Sequence, residues 1–132
     1  MYKPLLIIGV AVLLVVVFSG CMDIGYAYYN YDFYDQTDEG YTRISARIRV
    51  VNDGYAKGVD THPVWWYLVV NAVEYEFHDY DYDATVISLG AEATFTIIYL
   101  IPDTIDIVNR SIYYDKSADL EYVLYDATLE VK

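Results

Sequence analysis

Five consecutive residues, Asp79-Tyr80-Asp81-Tyr82-Asp83, form the one pattern in this chain whose spacing suggests chemistry. Hard cations such as Ca²⁺ take several carboxylate oxygens, and an Asp-x-Asp-x-Asp loop can wrap one. The EF-hand spacing nevertheless fails: Ala84 stands where the sixth position needs glycine, and Gly90 where the twelfth needs a bidentate Glu. In an extended backbone Asp79, Asp81 and Asp83 share one face, with Tyr80 and Tyr82 on the other. The expectation is a solvated acidic loop or edge whose charge discourages edge-to-edge pairing of sheets. Ca²⁺ binding through the three aspartates is the sharper alternative. Tyr80 and Tyr82, with Tyr28, Tyr29 and Tyr31, are the tyrosines expected at the surface, where amphipathic rings suit contact with protein or carbohydrate.

The other reactive residue types exclude more than they offer. His62 and His78 are the only histidines and Cys21 the only cysteine. One cysteine cannot build a Cys/His zinc cluster or an intramolecular disulfide. The chain has no Gly-x-Ser-x-Gly elbow and no phosphate-cradling glycine loop. The expectation is a protein without enzymatic activity or resident cofactor. The formal charge is −12, from 8 Lys+Arg against 20 Asp+Glu, so a polyanion is repelled and nucleic acid is disfavoured as a partner.

Cys21 sits at the end of a distinctive leader. Lys3 gives a short positive start, Pro4 to Phe18 is an uncharged apolar run, and Ser19-Gly20 are small. The run is shorter than the roughly 20 residues of a spanning helix and fits the apolar core of a signal peptide. Residues 18–21 resemble the lipobox of prokaryotic lipoproteins: Ser19, Gly20 and Cys21 match it, and Phe18 stands where the family usually has an aliphatic residue. The resemblance implies cleavage after Gly20, lipidation of Cys21 and attachment to the outer face of the cell membrane. An uncleaved anchor helix and ordinary secretion are the alternatives. All three put residues 22–132 outside the cytoplasm.

The remainder is long enough for one domain and too short for two. No helical periodicity is sustained over three turns; β-like runs alternate with turn signals instead. Residues 24–34 alternate as a first strand, with Ala27, Tyr29, Tyr31 and Phe33 on one face, although an aromatic spacer is the rival reading. Gln36 to Gly40 reads as a polar loop. Tyr41 to Val51 is the clearest strand: Ile44, Ala46, Ile48 and Val50 face a core, while Arg43, Arg47 and Arg49 face solvent, paired with acids on neighbouring strands. Asn52-Asp53-Gly54 is a turn, since Asn and Gly both tolerate positive φ. Val64 to Val70 reads as a buried strand with Trp65 and Trp66 on opposite faces. Asn71-Ala72 then makes a tight hairpin to Val73–Phe77, with Ala where Gly is usual. Further strands are expected at 85–89, 93–101, 111–114 and 122–131, the last two separated by a polar loop from Asp115 to Asp119.

Such a series of about seven strands predicts an all-β, immunoglobulin-like antiparallel sandwich behind the apolar leader. The domain spans residues 21–132, after a signal segment over 1–20. Three stretches carry a family likeness: Ile48 to Gly54, Trp66 to Tyr75, and Leu89 to Ile97 closed by Ile101-Pro102. Their order resembles the immunoglobulin-like domains of unknown function on prokaryotic surface lipoproteins, and their cell-adhesion-related relatives. The resemblance implies a non-enzymatic structural or adhesive module of the cell envelope, with an envelope protein or polysaccharide as partner. An ion- or solute-binding accessory lipoprotein using the acidic loop is the alternative.

Overall fold

Alternation from Ala27 onward translates directly into two long strands. β1 (Ala27–Asp38) and β2 (Tyr41–Asn52) pair antiparallel along their whole length, from Ala27 opposite Asn52 to Asp38 opposite Tyr41. The computed structural model describes residues 25–132. The expected signal segment, Cys21 and Ile24 lie outside the described residues. Strand β1 continues through Gln36 to Asp38, so the expected polar loop contracts to Glu39-Gly40, with Gly40 at φ 86°. Cross-strand pairing of Gln36 with Arg43 and an Arg43–Asp38 ion pair at 3.4 Å hold this extension.

The remaining strands are β3 (Val59–Asp60), β4 (Trp66–Val70), β5 (Val73–Tyr75), β6 (Asp79–Tyr80), β7 (Val86–Ile87), β8 (Glu92–Pro102), β9 (Arg110–Tyr114) and β10 (Val123–Tyr125). They form a five-stranded sheet ordered β10-β1-β2-β8-β6, a three-stranded sheet β5-β4-β9 and a small β3-β7 ribbon. The fold is all-β with antiparallel pairing throughout, except that β10 runs parallel to β1. The expected count of about seven is exceeded because short two-residue pairings, such as β3 with β7, punctuate the loops.

Between the two larger sheets lies one core. Ile44, Ala46, Ile48 and Val50 of β2 have no exposed surface, nor have Ile97, Tyr99 and Ile101 of β8. Each aliphatic side chain so buried contributes about 1.5–3 kcal/mol. Trp66 of β4 meets Tyr29 of β1 edge-on at 5.3 Å and Phe95 of β8 at 5.5 Å. Two phenols stitch the sheets together: Tyr99 donates to the Trp66 carbonyl at 2.8 Å, and Tyr29 to the Ile112 carbonyl at 3.2 Å. Tyr29 is therefore a core residue, not the surface tyrosine expected, and burial raises its hydroxyl pKa well above the ordinary value.

The hairpin at Asn71-Ala72 forms as expected, with φ of 51° and 68°. The turn after β2 also forms, although neither Gly54 nor Asn52 takes positive φ. The buried Asn52 amide shapes the loop instead, accepting from the Gly54 and Tyr55 N–H groups and donating to the Tyr55 and Ile87 carbonyls. The strand expected over 122–131 ends at Tyr125, because Asp126 accepts from both the N–H and the hydroxyl of Thr128 and turns the chain.

Candidate interaction surface

The acidic stretch is an edge. β6 adds to the outside of β8, with Asp79 opposite Ile98 and Tyr80 opposite Ile97. Period-two alternation then sends Asp79, Asp81 and Asp83 outward, all exposed, and Tyr80 and Tyr82 inward, as the extended reading anticipated. The three carboxylates do not converge, and among the described residues no three His, Cys, Asp or Glu side chains form a metal-ligand group.

Tyr80 and Tyr82 are half-buried packing residues, correcting the expectation that they stand free for contact. Tyr82 packs on Phe95 at 5.1 Å, donates to the Thr61 carbonyl, and has its hydroxyl pKa raised by burial. Tyr80 lies 5.1 Å from Tyr82 and 5.8 Å from Phe77. The reason is geometric: one strand pairing against β8 forces alternate residues over the core. Tyr28 and Tyr31 are likewise half-buried, and Tyr31 stacks among Tyr29, Phe33 and Tyr125. His62 is exposed, as expected, and its Nδ1 accepts from the Val64 N–H to cap the 3-10 turn Pro63–Trp65.

The outer face of the five-stranded sheet holds the paired charges. Arg47 reaches Asp32 of β1 at 3.1 Å, and Arg49 grips Glu92 of β8 with Nη2 at 2.9 and 3.1 Å. This charge-assisted contact, one guanidinium nitrogen shared between both carboxylate oxygens, holds the Glu92 carboxyl below the usual carboxylate range. Arg49 itself corrects the reading that all three arginines face solvent, being only 8% exposed. The C-terminal segment folds over it: Arg49 Nη1 donates to the Glu130 carbonyl at 2.9 Å, and its cross-strand neighbour Asn30 donates to the Leu129 carbonyl.

Beyond that strap the face opens into a shallow depression of about 450 Å³, lined by Asp32, Phe33, Tyr34, Ser45, Arg47 and Thr96. Tyr34 is 68% exposed beside it. Register explains the grouping: Tyr34 lies opposite Ser45, and Asp32 opposite Arg47, which in turn faces Thr96. An aromatic ring, a guanidinium, a carboxylate and two hydroxyls thus share one open patch. Tyr34 is not among the tyrosines whose exposure was expected. The signal was present, because continuing the Tyr26, Tyr28 alternation puts it on the face of Asp32, across from Ser45 and Arg47.

A second unforeseen site is buried. Asp119, assigned to a polar loop, is 4% exposed and accepts from the Tyr55 hydroxyl at 2.5 Å and the Tyr114 hydroxyl at 2.8 Å. Burial and this carboxylate push the Tyr55 phenol up to about 12, and raise Tyr114 as well. Both phenols donate, and Asp119 closes the 3-10 turn Ser117–Asp119 against the core. The arrangement is a structural clamp between the β2–β3 loop, the end of β9 and the approach to β10.

Among the described residues no helix is long and apolar enough to cross a membrane. Compared with known proteins, the chain matches no family model, no curated protein and no solved structure.

Proposed function

We propose that the chain is a non-enzymatic, immunoglobulin-like surface module of the cell envelope, held to the outer face of the membrane through its leader and Cys21. Its outer sheet face contacts an envelope polysaccharide. What carries the contact reading is the open patch around Tyr34. A sugar ring offers an apolar C–H face that suits an exposed aromatic ring, and hydroxyls that suit a fixed set of donors and acceptors. Tyr34 supplies the first, and Arg47, Asp32, Ser45 and Thr96 the second. The Asp32–Arg47 ion pair holds both charged groups in place before a ligand arrives, which lowers the ordering cost of binding.

The leader supports the tether through its charge, its apolar length and the small residues before Cys21. The ion-binding alternative loses ground because Asp79, Asp81 and Asp83 stand apart on an exposed edge.

Co-sedimentation with purified envelope polysaccharide tests the contact reading. The wild-type chain is expected to pellet with the polymer, and Tyr34→Ala to lose most of that binding while keeping its melting temperature. Equal pelleting by both chains would remove the patch from the proposal.

A further inference from the structure

We infer that the end of the domain from which the leader departs is itself a membrane-contact surface, resting on the bilayer through Tyr26, Leu89 and Leu120. This inference rests on the tether reading above and adds an orientation to it.

Strand register and loop contacts collect these residues at one end. β1 begins there at Ala27, β2 ends there at Asn52, and β8 and the parallel β10 both begin there. Ala27 donates to the Tyr122 carbonyl at 2.8 Å, and Gly90 to the Asn52 carbonyl at 2.8 Å. The rings of Tyr26 and Tyr122 lie 6.2 Å apart. Around these joints Tyr26 is 42%, Leu89 55% and Leu120 39% exposed. Tyr26 before β1, Leu89 before β8 and Leu120 before β10 thus share one end of the domain.

The chain path fixes where this end must lie. Gly25 packs so closely on Gly54 that a Cβ at Gly25 would sit 2.6 Å from the Gly54 backbone. The tether therefore leaves the domain beside the Asp53-Gly54 loop. Only four residue steps separate Gly25 from Cys21, a reach of at most about 14 Å even when fully extended. A lipid on Cys21 leaves that residue at the headgroup level, so the loop end cannot stand far from the interface. Aromatic rings and leucines are the side chains that gain there.

Charge has little part in the contact. Lys57 is exposed at this end and makes no ion pair among the described residues, but the exposed carboxylates of Asp53 and Glu121, with Asp23 in the tether sequence, outnumber it, so no basic excess draws the end to the membrane. On uncharged phosphatidylcholine the contact is consequently insensitive to salt, and salt does not weaken it as it would one made by a basic patch on anionic lipid.

The test uses the full chain recovered in phosphatidylcholine vesicles, with cysteine introduced singly at Leu89, Leu120 or Val108 and labelled with an environment-sensitive fluorophore. Lipids carrying a nitroxide near the headgroup serve as quencher. The chain without an added cysteine is the control, since a lipidated Cys21 takes no label. Labels at 89 and 120 are expected to shift to the blue and to be quenched several-fold more than at 108, equally at low and high salt. Membrane-bound chains with the same weak quenching at all three positions would overturn the orientation and leave the tether standing. Chains that leave the vesicles, with Cys21 labelled in the control, would overturn the tether and the orientation together.

Discussion

The two ends of this domain are held by different kinds of contact. At the end where the chain emerges at Gly25, polar groups are buried and partnered: Asp119 between two phenols, Asn52 inside its loop, glycine packed on glycine. At the opposite end the holding groups stand in water. Asn71 accepts from the N–H groups of Val108 and Asn109 and donates to the Asp106 carbonyl, all exposed, and Arg110 pairs with Asp35 at 2.6 Å near the surface. Removing a partner from a buried, charge-assisted hydrogen bond leaves an unsatisfied group, whereas water replaces an exposed one. The Gly25 end is thus the intolerant one. The far end, with Val108 77% exposed at its tip, is free to vary without loss of fold.

Substitution at Asp119 should break this contrast most visibly. Asp119→Ala leaves the Tyr55 and Tyr114 hydroxyls buried without an acceptor, and is expected to cost about 3 kcal/mol in urea denaturation. Asn71→Ala at the far end should cost only about 1 kcal/mol. Equal losses would erase the distinction between the ends. Gly25→Ala comes next, because its methyl meets the Gly54 backbone, and a loss of about 2 kcal/mol is expected from overpacking. Hydrogen exchange should show the opening first at the Ala27 N–H, which donates to Tyr122; uniform acceleration across both sheets would argue against a local joint.

Alkaline titration sharpens the same contrast. The Tyr55 phenol is raised from 10.0 to about 12 in the fold. The stability it contributes is complete below the unfolded value and is lost as pH rises through the folded one. Melting temperatures should fall between pH 10 and 12, and Tyr55→Phe should flatten that fall; an unchanged slope would mean that the clamp does not sense the phenolate. The smallest effect is a gain. Ala72 holds φ 68°, a conformation glycine adopts freely, so Ala72→Gly should stabilise the far hairpin by about 0.5 kcal/mol once glycine's greater unfolded-state freedom is set against the relieved strain.

Much of the frame was legible because it rests on period two. The buried run of β2 and the Asn71-Ala72 hairpin follow from alternation and turn chemistry alone, whereas the strand expected from Val64 starts only at Trp66, because Pro63 to Trp65 form a 3-10 turn. What escaped depends on contacts distant in sequence. Nothing near Arg49 shows that residue 130 will fold over it, and nothing around Asp119 announces a phenol 64 positions away. The tyrosines failed as a guide to the surface for a similar reason. Their amphipathic rings suit either side of a sheet, and pairing of β6 with β8 and of β1 with β2 decided which side each took.

The intact mass of the protein recovered from membranes, beside that of a Cys21→Ser chain, bears on the tethered-module reading before any other measurement. A mass corresponding to residues 21–132 plus lipid, with the Cys21→Ser chain shed or left unprocessed, is the predicted result. An unmodified full-length mass in both chains would contradict it, and would mean that the leader is retained and Cys21 carries no lipid.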